Sequence, residues 1–416
     1  MKLAVELYGQ RIGHLDGDDP RTFVFTETTD AVRAFGAGSR ILSIAIPLGS
    51  HPRKADAGRR RNFFAELLPE GRIRTAMFDA AGIRRPDDVL AFLSVYGRDV
   101  AGALQIWNVD DPTEPKEGVG VPVDGAQIRS LMERYLRTPL GNAPDHGRTS
   151  LAGVQSKIVL AMEGATWLQA IDGYPSTHIL KPALNDGSVR ETMIFDEEYG
   201  ARVARAAGIR TVDARIEQFA GLDALVITRY DRDSSYPGDR VHQEDFNQIL
   251  GASGDQKYQE HGGRVTLRRV AEALETAGAP REIETLAEQV VLACAIGNLD
   301  LHAKNISALH LNDGTVQLAP AYDVVPLTHV PGIDGRLAMA VGGVYAHAAL
   351  SRTDLVREFA SWRLRRAEAV IDETLAHVLD AAEHEAPLPG AAPSVQDDIV
   401  RIARNLLSGQ PAGRTR

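Results

Sequence analysis

Asp300 and Asn305 stand five positions apart in Asn298-Leu299-Asp300-Leu301-His302-Ala303-Lys304-Asn305, and a second acid follows in Tyr322-Asp323. Few reactions need this set. A carboxylate such as Asp300 can receive the proton of an incoming hydroxyl. Asn305 offers a neutral amide oxygen, and Asp323 a charged oxygen, to a hard cation. The flanking pattern says how these groups are carried. Ile283, Leu286, Val290 and Cys294 recur at helical spacing, so an apolar-faced helix runs into the loop. Residues 306–311 and 316–319 read as strands, and Asn312-Asp313-Gly314 between them is a turn signal, because these residues tolerate positive φ. The hairpin returns Asp323 toward Asp300 and Asn305.

Helix, loop, hairpin, acid is the order of a protein-kinase C-lobe, and D-x-x-x-x-N is the spacing of its catalytic loop. A six-residue spacing alone is a chance match more often than not; the hairpin and second acid turn it into a reading. Other residues fall in the matching order. Ser150-Leu151-Ala152-Gly153-Val154-Gln155-Ser156-Lys157 is a small-residue loop entering a strand, suited to bring backbone N–H groups and a cation against phosphates. Lys181 ends the strand 178–180, where a kinase places its phosphate-gripping lysine. Pro182 follows it, and Glu197 and Glu198 on the next helix suit an ion pair with that lysine. Thr228-Arg229-Tyr230, after the apolar strand 224–227, sits where lobes join and adenine docks.

The chain has 416 residues, enough for two or three domains or lobes. An acid at Glu6 comes too early for a signal-peptide core, and no stretch approaches the roughly 20 apolar residues of a membrane span, so a cytoplasmic location without membrane contact is expected. The single cysteine, Cys294, excludes an internal disulfide and a cysteine zinc cluster, and lies on the buried helix face. The net charge of −10 argues against wrapping nucleic acid broadly. The one basic run, Arg59-Arg60-Arg61 with Arg53 and Lys54 nearby, reads as a solvated patch, with a local DNA or partner contact as the alternative.

Along the chain, residues 1–108 form a first region, with strands at 2–7, 23–25 and 42–46 and a helix around 62–68. Residues 109–124 are a linker, acidic and proline-containing at 110–118. Residues 125–242 form a region with the phosphate loop, strands at 158–161, 167–170 and 178–180, and a helix over 192–207. Residues 243–416 read as helical apart from the hairpin, with a proline-rich break at 386–394 and a frayed tail from 408.

These residues resemble the HipA family, Ser/Thr-kinase toxins of bacterial type II toxin–antitoxin systems. The resemblance rests on Ser150-x-Ala152-Gly153-x-Gln155-x-Lys157, His178-Ile179-Leu180-Lys181, Asp300-x-His302-x-Lys304-Asn305 and Tyr322-Asp323. In the N-terminal part it rests on Leu42 through Leu48, Phe63 through Pro69, and Gly97 through Leu104. It implies an α+β, bilobal protein-kinase-like fold with a small N-terminal β-rich subdomain and a mainly helical C-lobe, using ATP and Mg²⁺. It implies Asp300 as catalytic base, Asn305 and Asp323 as metal ligands, and Lys181 on the ATP phosphates. Ala152, Gly153, Val154, Gln155, Ser156 and Lys157 map onto the nucleotide loop. Thr228, Arg229 and Tyr230 map onto the adenine hinge. His302, Ala303, Lys304 and Asn305, with Tyr322, Asp323, Val324 and Val325, also line the ATP site in this pattern. Ser150 maps onto an autophosphorylated serine whose modification expels the loop and switches the enzyme off; nearly two added charges beside a phosphate site supply a physical reason.

Implied partners are a HipB-like helix-turn-helix antitoxin, operator DNA mainly through that antitoxin, and a protein substrate such as an aminoacyl-tRNA synthetase, notably the glutamyl enzyme. Asn298-Leu299 replaces the His-Arg of eukaryotic kinases, and Val324-Val325 their Phe-Gly, both in keeping with the family. Two other classes remain open on the residues alone. One is a catalytically silent nucleotide-binding co-repressor acting with an antitoxin on DNA; the other is a small-molecule phosphotransferase.

Overall fold

A computed structural model describes the chain except residues 18–21, 50–55, 115, 136–138, 143–147, 152–155, 185, 186, 188, 189 and 414–416. Four residues of the expected nucleotide loop (Ala152, Gly153, Val154, Gln155), and Arg53 and Lys54 of the basic run, lie outside the described residues. The chain divides into two compact units. The first comprises Met1–Pro182, Glu217–Glu244 and Leu309–Thr315; the second comprises Ala183–Ile216, Asp245–Ala308 and Val316–Arg416.

The first unit begins with an antiparallel sheet in the spatial order Val24–Glu27, Gln10–Asp16, Lys2–Leu7, Leu104–Asn108. Lys2–Leu7 and Gln10–Asp16 pair through the two-residue loop Tyr8-Gly9, both at positive φ (52° and 73°), the mirror-image turn whose twist suits a hairpin. Leu3, Val5 and Leu7 are fully buried and join Phe63, Met77, Phe92 and Leu93 from the helices Asp56–Ala65, Gly71–Ala80 and Val89–Tyr96. Leu140, Leu151 and Val159 belong to the same buried cluster, so its packing continues past residue 108. A second antiparallel sheet holds Val119–Pro122, Thr166–Ile171, Ile158–Glu163, His178–Pro182 and Leu222–Thr228 in that order. The chain passes from the second unit into the first within its last strand, Ala214–Phe219.

The second unit is mainly helical. Ala367–His384 and Val395–Leu407 pack on Glu282–Ile296, whose Ile283, Leu286, Val290 and Cys294 are all buried, as their spacing predicts. Burial, which penalises the thiolate, pushes the Cys294 thiol up to about 12. We therefore expect native protein to leave a thiol reagent unreacted at pH 8 and to yield one thiol per chain in denaturant; rapid native labelling would contradict the packed position.

Several elements differ from the sequence reading. Residues 42–46 are not a strand. Leu42 and Ile46 are buried, but polar groups of the same unit take up this backbone: the Ile44 N–H donates to Glu244 (2.7 Å) and His242 Nε2 lies 2.8 Å from the Leu42 oxygen. A short apolar run reads alike as a strand or as buried coil. The helix expected around 62–68 spans Asp56–Ala65, one of four helices among the described residues of 1–108, and Arg60 in the basic run is buried, its guanidinium 3.4 Å from the Phe25 oxygen. The acidic part of the 109–124 linker is anchored, since the buried Glu114 lies 3.7 Å from Arg98 and 3.6 Å from Arg148. A second hairpin, Arg336–Val341 with Val344–Ala346, stands in the region expected to be helical. The tail is not frayed at its start: Ala412 is buried and its N–H donates to the Leu350 oxygen, and that of Gly413 to the Ala348 oxygen.

Candidate active site

The helix Glu282–Ile296 ends at Gly297, whose φ of 73° lies in the left-handed region that glycine enters without steric cost. The chain is thereby released into Asn298, which is 3% exposed and organises the loop that follows. Its Oδ1 accepts from the Asp300 N–H (3.0 Å), and its Nδ2 donates to the Asp323 carbonyl (2.9 Å). One side chain thus ties the backbone of the first acid to that of the second. In the sequence Asn298 stands out only as a departure from kinases. Its signal was an amide placed directly after a helix-ending glycine.

The remaining loop closes tightly. The His302 N–H donates to the Asp300 oxygen (2.7 Å), the Asn305 N–H to the His302 oxygen (2.8 Å), and Asn305 Nδ2 to the Asp300 oxygen (2.9 Å). That last bond sets the Asn305 amide with Nδ2 toward the Asp300 carbonyl. Tyr322 donates its hydroxyl to the Lys304 carbonyl (2.7 Å) and sits 2.7 Å from Ser307 Oγ, so the residue before Asp323 is pinned to the loop. Asp323 itself holds φ 50°, an uncommon value for a non-glycine residue and of the kind concentrated at functional positions. Val325 donates to its carbonyl (3.0 Å). Gly200 lets the helix Met193–Ala206 approach this segment, since a Cβ there would collide with the Val324 oxygen.

Asp300 differs from its neighbours in exposure. Its side chain is 48% exposed, whereas Ala303, Lys304 and Asn305 are buried. His302 Nε2 lies 3.9 Å from the Asp300 carboxylate, and its ring packs edge-on against Tyr258 (5.3 Å). A reachable carboxylate on a rigid loop is what a general base needs. The Asn305 amide oxygen and the Asp323 carboxylate form a donor set suited to Mg²⁺, which takes one or two protein oxygens and completes its shell with phosphate and water. Among the described residues no group of three or more His, Cys, Asp or Glu side chains forms a metal cluster.

The other expected site residues lie in the first unit. Lys181, 7% exposed, sits in the strand His178–Pro182 opposite Leu225, and Thr228 sits opposite His178. The strand includes Pro182 rather than stopping before it. Lys157 is 9% exposed at the start of Ile158–Glu163. Arg229 does not present its side chain to a ligand. It donates to Asp231 (2.8 and 2.9 Å), to Ser176 Oγ (2.8 Å) and to the Val100 oxygen (3.0 Å), in a buried cluster with Asp99, Arg232 and Arg240. Tyr230 bonds Gln243. In the second unit, Glu198 is held by Arg202 on its own helix (2.9 Å).

Ser150 is fully buried. Its Oγ donates to the Leu67 carbonyl (2.9 Å) and its N–H to the Asp99 carbonyl (3.0 Å). The preceding Thr149 exchanges two hydrogen bonds with Asn142 (3.0 Å each) and donates to the Asp99 carboxylate (3.2 Å). In this conformation the serine faces the interior of its unit.

Residues 3–107 match the HipA N-terminal domain and residues 149–384 the HipA-like C-terminal domain. The chain is similar to Y4mE of Sinorhizobium fredii, with 32% identity over 71% of this chain and 72% of that one. It is also similar to Y4dM of the same organism, with 30% identity over 89% and 88%; both are provisional kinases by name. It is 26% identical to the serine/threonine-protein kinase toxin HipA of Shewanella oneidensis, over 76% of each chain. Its fold matches a chain in the solved Shewanella oneidensis complex of HipA, HipB and operator DNA, with a TM-score of 0.78 and 22% identity over 98% of this chain and 96% of that one. The α+β kinase-like fold is therefore that of HipA, and the chain belongs to the HipA family.

Proposed function

We propose that this protein is an ATP-dependent serine/threonine protein kinase and the toxin of a toxin–antitoxin pair. The observation that carries the reading is Asn298, which holds the half-exposed Asp300 and the positive-φ Asp323 on one hydrogen-bonded frame. In this reading Asp300 orients the acceptor hydroxyl and takes its proton. The Asn305 and Asp323 oxygens hold Mg²⁺, which when bound neutralises charge on the transferring phosphate. Lys157 and Lys181 are the cations assigned to nucleotide phosphates, and the backbone around Thr228–Tyr230 to adenine. The acceptor is a serine or threonine of another protein, an aminoacyl-tRNA synthetase such as the glutamyl enzyme being the class that the family suggests. A HipB-like antitoxin is the partner, and the net charge of −10 suits an arrangement in which the antitoxin carries most of the operator contact.

Ser150 is the proposed site of self-modification. Because its hydroxyl is buried on Leu67, transfer to it requires the 149–151 segment to leave its place. Purified protein incubated with Mg²⁺ and γ-labelled ATP should label Ser150 slowly, and Ser150→Ala should lose that label while still phosphorylating its protein target. Absence of label on any residue, with Mg·ATP bound and Ser150 unmodified at the start, would refute the kinase reading.

A further inference from the structure

A cavity of about 610 Å³ opens beside Asp300, and every described residue that lines it belongs to the second unit. Its size lies in the range of sites that enclose a ligand or a short segment of one. Of the three residues assigned to the reaction, Asp300 lines it, whereas Asn305 and Asp323 do not. The cavity therefore adjoins Asp300, the carboxylate assigned to the acceptor hydroxyl. Its apolar wall comes from Met193, Leu299 and the segment after Asp323, with Leu327, Val330 and Ile333.

This wall is built onto the catalytic loop. The Ala338 N–H donates to the oxygen of Leu299, the residue before Asp300 (2.9 Å), and the Ala338 oxygen accepts from the Gln259 N–H (3.0 Å). Gln259 Oε1 in turn accepts from the Ala340 N–H (2.9 Å). The cavity floor and the base are thus one hydrogen-bonded piece, so an occupant of the cavity is held at a set distance from Asp300. At the rim Arg336 is bonded to Glu260 and stacks over Tyr345 (5.1 Å), and Asp334 caps the Arg336 N–H (3.0 Å). Arg190 and His261 also line the cavity, so the rim carries both signs of charge around the apolar wall. Ile333 is 40% exposed, among the few large apolar side chains left open to solvent.

We infer that this cavity is the specificity pocket of the kinase: it takes an apolar side chain of the protein substrate, close in sequence to the phosphorylated serine or threonine. Ile333 and Val330 form its outer wall, and Arg336 and Glu260 its polar rim. The inference rests on the kinase reading, and binding separates the two. A serine-containing peptide library, degenerate at the flanking positions, is screened first for binding to the full-length protein and then for phosphate transfer from Mg·ATP.

The expected result is selection of an apolar residue at one flanking position. Ile333→Glu should raise the KM for the selected peptide about tenfold or more while leaving kcat within twofold, the signature of lost uniform binding. Ile333→Leu should restore the selection. Transfer with no flanking preference, or a preference unchanged in Ile333→Glu, overturns the pocket and leaves the kinase reading standing. Selective binding that Ile333→Glu abolishes, without transfer, supports the pocket and sinks the kinase reading. Neither binding nor transfer overturns both.

Discussion

Asp300→Asn is expected to lower phosphate transfer by about 10²–10⁴-fold, the range for loss of a positioned general base. Its Mg·ATP affinity should stay within about twofold. The separation arises from the way the loop is held. Three bonds to residue 300 use its backbone: its N–H donates to Asn298, and its carbonyl accepts from the His302 N–H and from Asn305. The carboxylate is half in solvent, so exchanging it for an amide removes the proton acceptor without dismantling the frame that carries Asn305 and Asp323. Single-turnover transfer, together with nucleotide binding measured by calorimetry, checks this. Equal loss of transfer and binding would show that Asp300 holds metal or nucleotide, contrary to the role assigned.

Asp99→Asn is expected to cost about 3–5 kcal/mol of stability, the usual consequence of breaking a buried ion pair from one side. Asp99 is fully buried with Arg232 (2.8 Å), Arg240 (3.6 Å) and Arg229 (3.8 Å) around its carboxylate, and Ser176 donates to it (2.6 Å). With the charge removed, three buried guanidiniums are left to Asp231. Burial alone would raise the Asp99 pKa, but Arg232, Arg229 and Arg240 outweigh it and hold the carboxyl below its usual range; Asp231 is lowered in the same way. A depressed folded-state pKa contributes stability that is present above the unfolded value of roughly 4 and is lost as pH falls through the folded value. The gap in urea midpoint between wild type and Asp99→Asn should therefore be full at pH 7 and narrow below about pH 4. A constant gap across that window would show that shape, and not charge, is what Asp99 supplies.

The helix before the loop and the hairpin after it were legible because each has a local cause. The helix shows in the spacing of Ile283, Leu286, Val290 and Cys294, and the turn in Asn312-Asp313-Gly314, where the Leu311 N–H donates to Thr315 and the Gly314 N–H to Leu311. Residues 42–46 misled for the opposite reason. Two of their backbone groups, the Ile44 N–H and the Leu42 oxygen, bond Glu244 and His242, some two hundred positions away in sequence, and no local pattern records such partners. Arg229 is a similar case. An arginine whose side chain is open to a ligand and one whose side chain is buried among acids look alike in sequence, and only its distances to Asp231 and Ser176 tell them apart.

The amino-acid sequence by itself determined which chemical groups this protein has and their order along the chain: Ser150, Lys181, Asp300, Asn305 and Asp323. Those depend on residue type and spacing, which a chain states directly. Only the tertiary structure decided which groups share a frame and which are reachable. Asn298 joins Asp300 to Asp323, Ser150 is turned inward onto Leu67, and a cavity adjoins Asp300 but neither Asn305 nor Asp323. These outcomes rest on hydrogen bonds and burial between residues far apart in the chain, which local propensity does not encode.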